Sequence, residues 1–365
     1  MTTCFGVGCA SESNFNSRLS TITGPYQFSM LNWELDAILD EISRASSNED
    51  INLADGMEKV REYFTVTVDE KRSISALKDA VETTLERQIR KALSQQGIHN
   101  PLYKYLTCET GFPPVNFSLE APPHILVISP RDRIDSIREI LLIQEIDTGE
   151  MERVEADVDK LEVSSLVTNI GGFAGTYPSF VTDDAGLKFV IDTAVEEWLH
   201  QYLVFKPLGF RYLLDVTGIS RNYEIAVINE TVADIVSQEI GTIIHEKYYA
   251  DNQTSSTTAS TGFDFNREMR EIRISVDEYL AQGEIEQAEA FMEEKRQYLV
   301  ENGYHIRKLN QAYFAFHGTY ADEPTSVSPI GKELKQLRSR RKSLSDFLET
   351  AASLTSRQDL QYILK

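Results

Sequence analysis

The sequence predicts a mainly helical α+β protein, and three observations support this fold class. Apolar residues recur at helical spacing in two long central stretches, residues 184–205 and 222–249. Two shorter runs, residues 124–129 and 140–146, have the apolar density of β-strands and follow a group of prolines. Finally, 41% of the 365 residues are apolar, which is enough for a sizeable core. A small sheet packed against helices accounts for all three observations.

The N-terminal part of the chain is predicted to be helical. Residues 28–45 and 69–95 both place apolar side chains three or four positions apart, as one face of a helix requires. We therefore expect an N-terminal helical region over residues 26–120. A flexible terminus is expected to precede it over residues 1–25.

The central region, residues 121–250, is expected to hold the sheet and the two long helices. Between the strands and the first long helix lies a β-prone run with several glycines, residues 164–178. Glycines allow another backbone to approach closely, so this run suits an edge strand or a substrate-facing loop. Asp183 or Asp184 is placed to cap the first long helix, and Pro207 follows its predicted end.

The C-terminal part of the chain begins after a change in composition. Residues 251–263 are polar and of low complexity, which is typical of a linker or a mobile loop. A C-terminal helical region is predicted over residues 264–365. Its first two helices, residues 266–282 and 284–301, are expected to form an antiparallel hairpin, and a last helix is expected over residues 332–354.

Composition restricts the partners of the chain. Fifty-seven acidic against 36 basic side chains give a formal net charge of −21, which disfavours nucleic acids. No run approaches the roughly 20 apolar residues of a transmembrane helix. The cysteines Cys4, Cys9 and Cys108 are scattered and indicate neither a disulfide framework nor a cysteine zinc site. The N-terminus is either a frayed end or the remnant of a shortened signal or lipoprotein peptide.

The residues most suited to chemistry lie on the two central helices. The first carries Glu196-Glu197-Trp-Leu-His200, in which the first and last residues are four apart and share a face that can point at one ion. The second carries Asn-Glu230-Thr-Val-Ala-Asp234, which can supply a third ligand from a facing helix. Asp234, one turn further on, is placed to accept a hydrogen bond from the far nitrogen of His200.

These two segments resemble the gluzincin class of zincin metallopeptidases, whose usual pattern is HExxH with a downstream glutamate ligand. The resemblance covers about residues 171–240. It implies that His200 and Glu230 bind a metal and that Glu197 is the general base. It also implies that Asp234 orients His200 without itself binding the metal. Glu196 departs from the pattern, because histidine usually stands there.

The resemblance also implies a group that stabilises the oxyanion. Gluzincins commonly take a tyrosine or a histidine from beyond the third ligand for this purpose, and His317 or Tyr320 is placed to serve. The arrangement is also similar to uncharacterised bacterial membrane-associated proteins of the zincin type, in which an anchor precedes the helical N-terminal region. That similarity implies a location at the cell envelope, with membrane association through an N-terminal anchor that is missing or shortened here.

The expected cofactor is one divalent metal ion, with zinc as the first candidate. A ligand set of Glu196, His200 and Glu230 adds a negative charge to the usual one, which weakens the ability of the metal to acidify bound water. Harder ions such as manganese or iron gain relative to zinc in such a site.

Two functions from different classes remain open at this point. The first is a zincin-like metallohydrolase that cleaves a peptide bond in a peptide or protein substrate. The second is a catalytically inactive relative whose cleft binds a peptide or protein partner. Other chemistries lack their motifs, since the chain has no Gly-x-Ser-x-Gly elbow, no GxxxxGK[ST] loop and no second Glu-x-x-His for a di-iron site.

Overall fold

The computed structural model describes residues 6–29, 52–66, 76–99, 113–250, 263–320 and 324–365. The predicted helix over residues 28–45 and the predicted linker over residues 251–263 lie almost entirely outside the described residues. Within them the prediction of a mainly helical α+β protein is confirmed, with thirteen α-helices and two three-stranded sheets. None of the helices in these ranges is both long and apolar enough to cross a membrane.

The elements follow one another in this order along the described chain. The helices are α1 (Gly6–Thr23), α2 (Leu53–Thr65), α3 (Lys78–Gln95), α4 (Thr148–Asp159), α5 (Leu187–Leu203), α6 (Pro207–Val216), α7 (Tyr223–Tyr249), α8 (Phe265–Ala281), α9 (Ile285–Glu301), α10 (Gln311–His317), α11 (Ile330–Arg340), α12 (Leu344–Ala352) and α13 (Arg357–Leu364). The strands are β1 (Phe117–Leu119), β2 (His124–Pro130), β3 (Arg138–Leu142), β4 (Val163–Thr168), β5 (Gly172–Phe173) and β6 (Ser179–Val181).

The strands form two small sheets. In the first, β2 lies between β3 and β4 and is antiparallel to both, with Leu126 opposite Ile140 and Val167. In the second, β6 lies between β1, to which it is parallel, and β5, to which it is antiparallel. The glycine-rich run therefore supplies an edge strand to each sheet, β4 to the first and β5 to the second.

The helices α5 and α7 form the centre of the larger core. Helix α7 has buried residues on every side along most of its length, because other helices surround it. Asn222 caps it through a hydrogen bond from the backbone N–H of Ile225. The N-cap of α5 differs from the prediction. Gly186 occupies the N-cap position, so no side chain caps this helix. Asp183 instead accepts a hydrogen bond from the hydroxyl of Tyr63, so a tertiary contact uses that carboxylate.

The hydrophobic cores cut across the regions expected from the sequence. The largest core includes Val60 and Leu85 from the predicted N-terminal helical region, Val195 from the predicted central region and Leu337 from the predicted C-terminal region. A second core joins the β3-β2-β4 sheet to α1 and α4, and a third lies within the α8-α9 hairpin. Helix α10 packs against β2 and β4 and joins the hairpin to the sheet.

Two local predictions differ from the structure. The terminus expected to be flexible contains α1, whose Leu19 is buried in the second core. The last predicted helix is broken into α11 and α12, because Ser343 accepts a hydrogen bond from the N–H of Asp346 and begins a new helix. Residues 311–317, just before Tyr320, form α10, which Asn310 caps.

A buried ion pair joins the segment that leads into α10 to the smaller core. The guanidinium of Arg307 donates to both carboxylate oxygens of Glu155, at 2.9 and 2.5 Å, and also to the carbonyl of Val167. Glu155 is only 2% exposed, and one of its oxygens also accepts the N–H of Val167. The pair therefore attaches the C-terminal part of the chain to α4 and β4.

Replacing Arg307 with methionine removes both guanidinium hydrogen bonds to this buried carboxylate and leaves Lys308, whose Nζ lies 3.6 Å from Oε2 of Glu155, as its remaining cation. Removing one partner of a buried pair costs about 3–5 kcal/mol, so we expect Arg307→Met to lower the free energy of unfolding by about 3 kcal/mol, measured by chemical denaturation. The matched control is Arg296→Met, because Arg296 pairs with the half-exposed Glu293 and contributes about 1 kcal/mol or less. Equal losses in the two variants would show that the pair with Glu155 has no special role.

Candidate metal centre

The structure brings together three side chains that the sequence selects as metal ligands. Glu196 and His200 lie one turn apart on α5, and Glu230 faces them from α7. One ligand atom of each lies within 4.8 Å of the others. Glu230 is buried and the other two are half-buried, so the group lies below the surface but stays accessible from one side.

The spacing between His200 and Glu230 fits a shared ion better than a direct hydrogen bond. Their nearest atoms, Nε2 and Oε2, are 3.5 Å apart, which is long for a charge-assisted hydrogen bond. Two ligand atoms that each lie about 2.1 Å from one tetrahedral ion are separated by roughly 3.4 Å. The donor set of one imidazole and two carboxylates therefore suits a divalent cation, and the His200–Glu230 separation already matches that of two ligands of one ion.

Two tyrosines hold Glu230 in place. The hydroxyl of Tyr212, on α6, donates to Oε1 of Glu230 at 2.5 Å, and the hydroxyl of Tyr320 also donates to this carboxylate. The ring of Tyr212 additionally stacks on that of His200, with 5.9 Å between centroids. Tyr320 was selected from the sequence, whereas Tyr212 was not, because it lies on a separate helix and belongs to no motif.

The far nitrogen of His200 contacts Asn229 rather than Asp234. Nδ2 of Asn229 lies 3.0 Å from Nδ1 of His200, and the other amide atom of Asn229, Oδ1, is buried with no hydrogen-bond partner. Asp234 accepts a hydrogen bond from Gln238 at 2.6 Å and raises the pKa of Glu196 through its charge. Rotating the Asn229 amide turns Oδ1 toward Nδ1, which is the orientation that a metal-bound histidine needs. Sequence reasoning missed Asn229, although it directly precedes Glu230.

Glu197 lies against the edge strand β5. A Cβ atom added at Gly172 would lie less than 2.5 Å from a carboxylate oxygen of Glu197, so only glycine fits there. The backbone N–H of Ala174 donates to the same carboxylate. Gln201, one turn further along α5, donates to the carbonyls of Ala174 and Thr176. The helix and the segment after β5 are thus fixed to one another around Glu197.

Burial and neighbouring charges shift the pKa of every member of the cluster. Burial raises the pKa of Glu197 to about 7, and burial and Glu197 raise that of Glu196 well above its ordinary value. Burial lowers the pKa of His200, but the charge of Glu230 outweighs it and raises that pKa to about 10. Burial raises the pKa of Glu230, but His200 and the two tyrosine hydroxyls outweigh it and hold that pKa below its ordinary value. The imidazolium of His200 is thus the cation among three carboxyl groups, of which Glu230 is the one held ionised.

The two residues selected for oxyanion stabilisation have different surroundings. The pKa of Tyr320 is raised by the charges of Glu230, Glu196 and Glu197, which places this hydroxyl beside the cluster. His317 contacts the rings of Tyr313 and Phe316, and burial alone lowers its pKa to about 4. Of the two, Tyr320 is the one with interactions to the cluster.

Comparisons with known proteins identify no relative of this chain. No family model, no curated protein and no solved structure matches this chain.

The close approach at Gly172 can be tested by a single methyl group. We expect Gly172→Ala to displace Glu197 and to destabilise the protein by about 1–3 kcal/mol, because the new Cβ collides with the side chains of Glu197 and Thr193. Gly24→Ala is the matched control, since nothing lies within 4 Å of the added atom there. The measurement is the free energy of unfolding of both variants. A Gly172→Ala protein as stable as the control would contradict the packing of β5 on Glu197.

The low pKa of His317 predicts a specific dependence of stability on pH. Folding lowers this pKa from 6.5 to about 4, so the unfolded chain takes up a proton first as the pH falls. The stability that neutral His317 contributes is therefore lost between about pH 6.5 and pH 4, and at pH 5 the loss is about 2 kcal/mol. We expect His317→Gln to reduce the difference between unfolding free energies at pH 7 and pH 5 by this amount. An unchanged difference would show that His317 titrates normally in the folded protein.

Proposed function

We propose that this protein is a zincin-like metallohydrolase that cleaves a peptide bond. The observation that carries the proposal is the position of Glu197, a buried carboxylate that lies beside the Glu196, His200 and Glu230 cluster and directly under a sheet edge. Metal-assisted peptide hydrolysis needs three features in one site. These are a group of metal ligands, a carboxylate base and a strand edge that can bind the substrate backbone.

Glu196, His200 and Glu230 are the residues that would hold the metal. Bound there, a divalent ion such as zinc, manganese or iron supplies a Lewis acid and lowers the pKa of a coordinated water. Asn229 orients His200 through its contact with Nδ1, and Tyr212 and Tyr320 fix the carboxylate of Glu230 by hydrogen bonds. These neighbours keep the three side chains close to the positions that binding requires.

Glu197 is suited to act as the general base. Its pKa of about 7 allows it to accept a proton from water near neutral pH and to release that proton to a leaving amine. The N–H of Ala174 holds the carboxylate in place, so proton transfer occurs at a defined oxygen. Tyr320 is the first candidate to donate a hydrogen bond to the developing oxyanion, for which its single hydroxyl proton would turn away from Glu230, and His317 is the second.

The edge strand β5 supports a peptide or protein as the substrate. In the described part of the chain β5 is the last strand of its sheet, so its outer backbone groups face away from β6. An extended peptide can add to such an edge through main-chain hydrogen bonds. A peptide bound there would lie against Gly172 and pass directly over Glu197.

A second candidate is an inactive zincin-like scaffold that binds a peptide or protein partner. The observation that favours it is the composition of the cluster, in which Glu196 takes the place of a neutral imidazole and adds negative charge. The imidazolium of His200 already compensates Glu230 without a metal. In that case β5 would bind a partner in the same way, and no bond would be cleaved.

Metal analysis and turnover distinguish the two candidates. We expect about one equivalent of zinc, manganese or iron in the purified protein by elemental mass spectrometry, and none in the His200→Ala, Glu230→Ala double variant. The His245→Ala, Glu246→Ala double variant is the matched control, because it removes the same residue types from a site outside the cluster. No metal after dialysis against each ion would support the scaffold.

The role of Glu197 is tested by Glu197→Gln, which retains the shape of the side chain and removes its basicity. We expect the variant to keep the metal and to lose at least about 100-fold in kcat on a peptide library. Equal turnover by the variant and the native protein would refute the assignment of Glu197 as the base.

A further inference from the structure

The outward side of α6 and its flanks carries an unusual concentration of exposed apolar side chains. Phe210, Leu213 and Val216 on the helix are 54%, 38% and 42% exposed, and Ile219 just after it is 74% exposed. We refer to Phe210, Leu213, Val216 and Ile219 as the α6 apolar face. Single exposed apolar residues are common on proteins, but a contiguous group marks a surface that another phase or molecule covers.

This face is not needed for the protein core. Helix α6 already packs its other side inward, where Leu208 and Gly209 are buried and Tyr212 donates to Glu230. A helix with an apolar inner side normally presents charged and polar residues to water on its outer side. The outer side of α6 departs from that rule, because it presents apolar residues to water in a protein that is otherwise rich in acidic residues.

The charges around the face have the opposite sign to those of the whole protein. Residues 204–223 contain Lys206, Arg211 and Arg221 and a single acidic residue, Asp215, in a chain of net charge −21. Asp215 is 6% exposed and accepts a hydrogen bond from the N–H of Asn222, so its charge points inward. The surface of this segment is therefore both apolar and basic.

We propose that the α6 apolar face docks onto the surface of an anionic lipid bilayer. A helix in a membrane interface buries its apolar side at the boundary of the acyl chains while its basic side chains contact anionic headgroups. The acidic remainder of the protein weakens this attraction little, because charges beyond about 8–10 Å are screened at physiological salt.

The charges also argue against a second copy of this chain as the occupant. A symmetric dimer through this face would place Lys206, Arg211 and Arg221 of both copies in one interface. Like charges at the rim of an interface oppose association, whereas a layer of anionic headgroups attracts them.

Vesicle flotation tests the proposal with the full chain. We expect the native protein to float with vesicles of equimolar phosphatidylglycerol and phosphatidylcholine and to stay behind with pure phosphatidylcholine. Phe210→Glu with Leu213→Glu is expected to lower the partition coefficient by about tenfold or more. Arg211→Gln and Arg221→Gln should each lower it by roughly fivefold. None of these residues belongs to the metal-ligand group, and the free energy of unfolding of each variant serves as the check on folding.

The matched control places two glutamates on exposed apolar positions elsewhere. Ile274→Glu with Tyr362→Glu adds the same charge, at side chains that are 45% and 80% exposed, and should leave flotation unchanged. The proposal is overturned if the native protein does not float with anionic vesicles, or if the control loses as much binding as the α6 variant. It is also overturned if the native protein is a dimer that only the α6 variant dissociates, because the face would then bind a second copy.

Discussion

The electrostatic balance around His200 is the interaction on which the described site depends. One imidazole faces Glu196, Glu197 and Glu230 in the interior between α5 and α7, where a charge without compensation is costly. Hydrogen-bonding groups around the cluster supply part of that compensation. Tyr212 and Tyr320 donate to Glu230, the N–H of Ala174 donates to Glu197, and Asn229 contacts the far nitrogen of His200. A divalent cation bound there would take the place of the His200 proton and supply the positive charge instead.

The packing of the second sheet against α5 depends on the same group of residues. Strand β5 can approach α5 closely because Gly172 has no side chain, and this approach brings the backbone of Ala174 to Glu197. Gln201 fixes the segment that follows. Gly172 is thus explained by its contact with a buried carboxylate, and the same contact sets the sheet edge beside the cluster.

Helix α6 connects this interior to the surface. Its inner side carries Tyr212, which bonds to Glu230, while its outer side carries Phe210 and Leu213 in a basic surrounding. This short helix thus has a hydrogen bond to the cluster on one side and an apolar surface on the other. Docking of α6 at a membrane would therefore hold the sheet edge and the cluster near that membrane.

The sequence by itself determined the features that depend on local spacing. Apolar periodicity predicts α5 and α7, and a spacing of four residues places Glu196 and His200 on one face of a helix. Tertiary structure decided which groups surround them, because Tyr212 reaches Glu230 and Asn229 reaches His200 only after the separate helices α5, α6 and α7 have packed together. It also decided that Asp183 bonds to Tyr63 instead of capping α5, and that one core crosses the predicted regional boundaries. Such contacts depend on packing between distant segments, which periodicity along the chain does not encode.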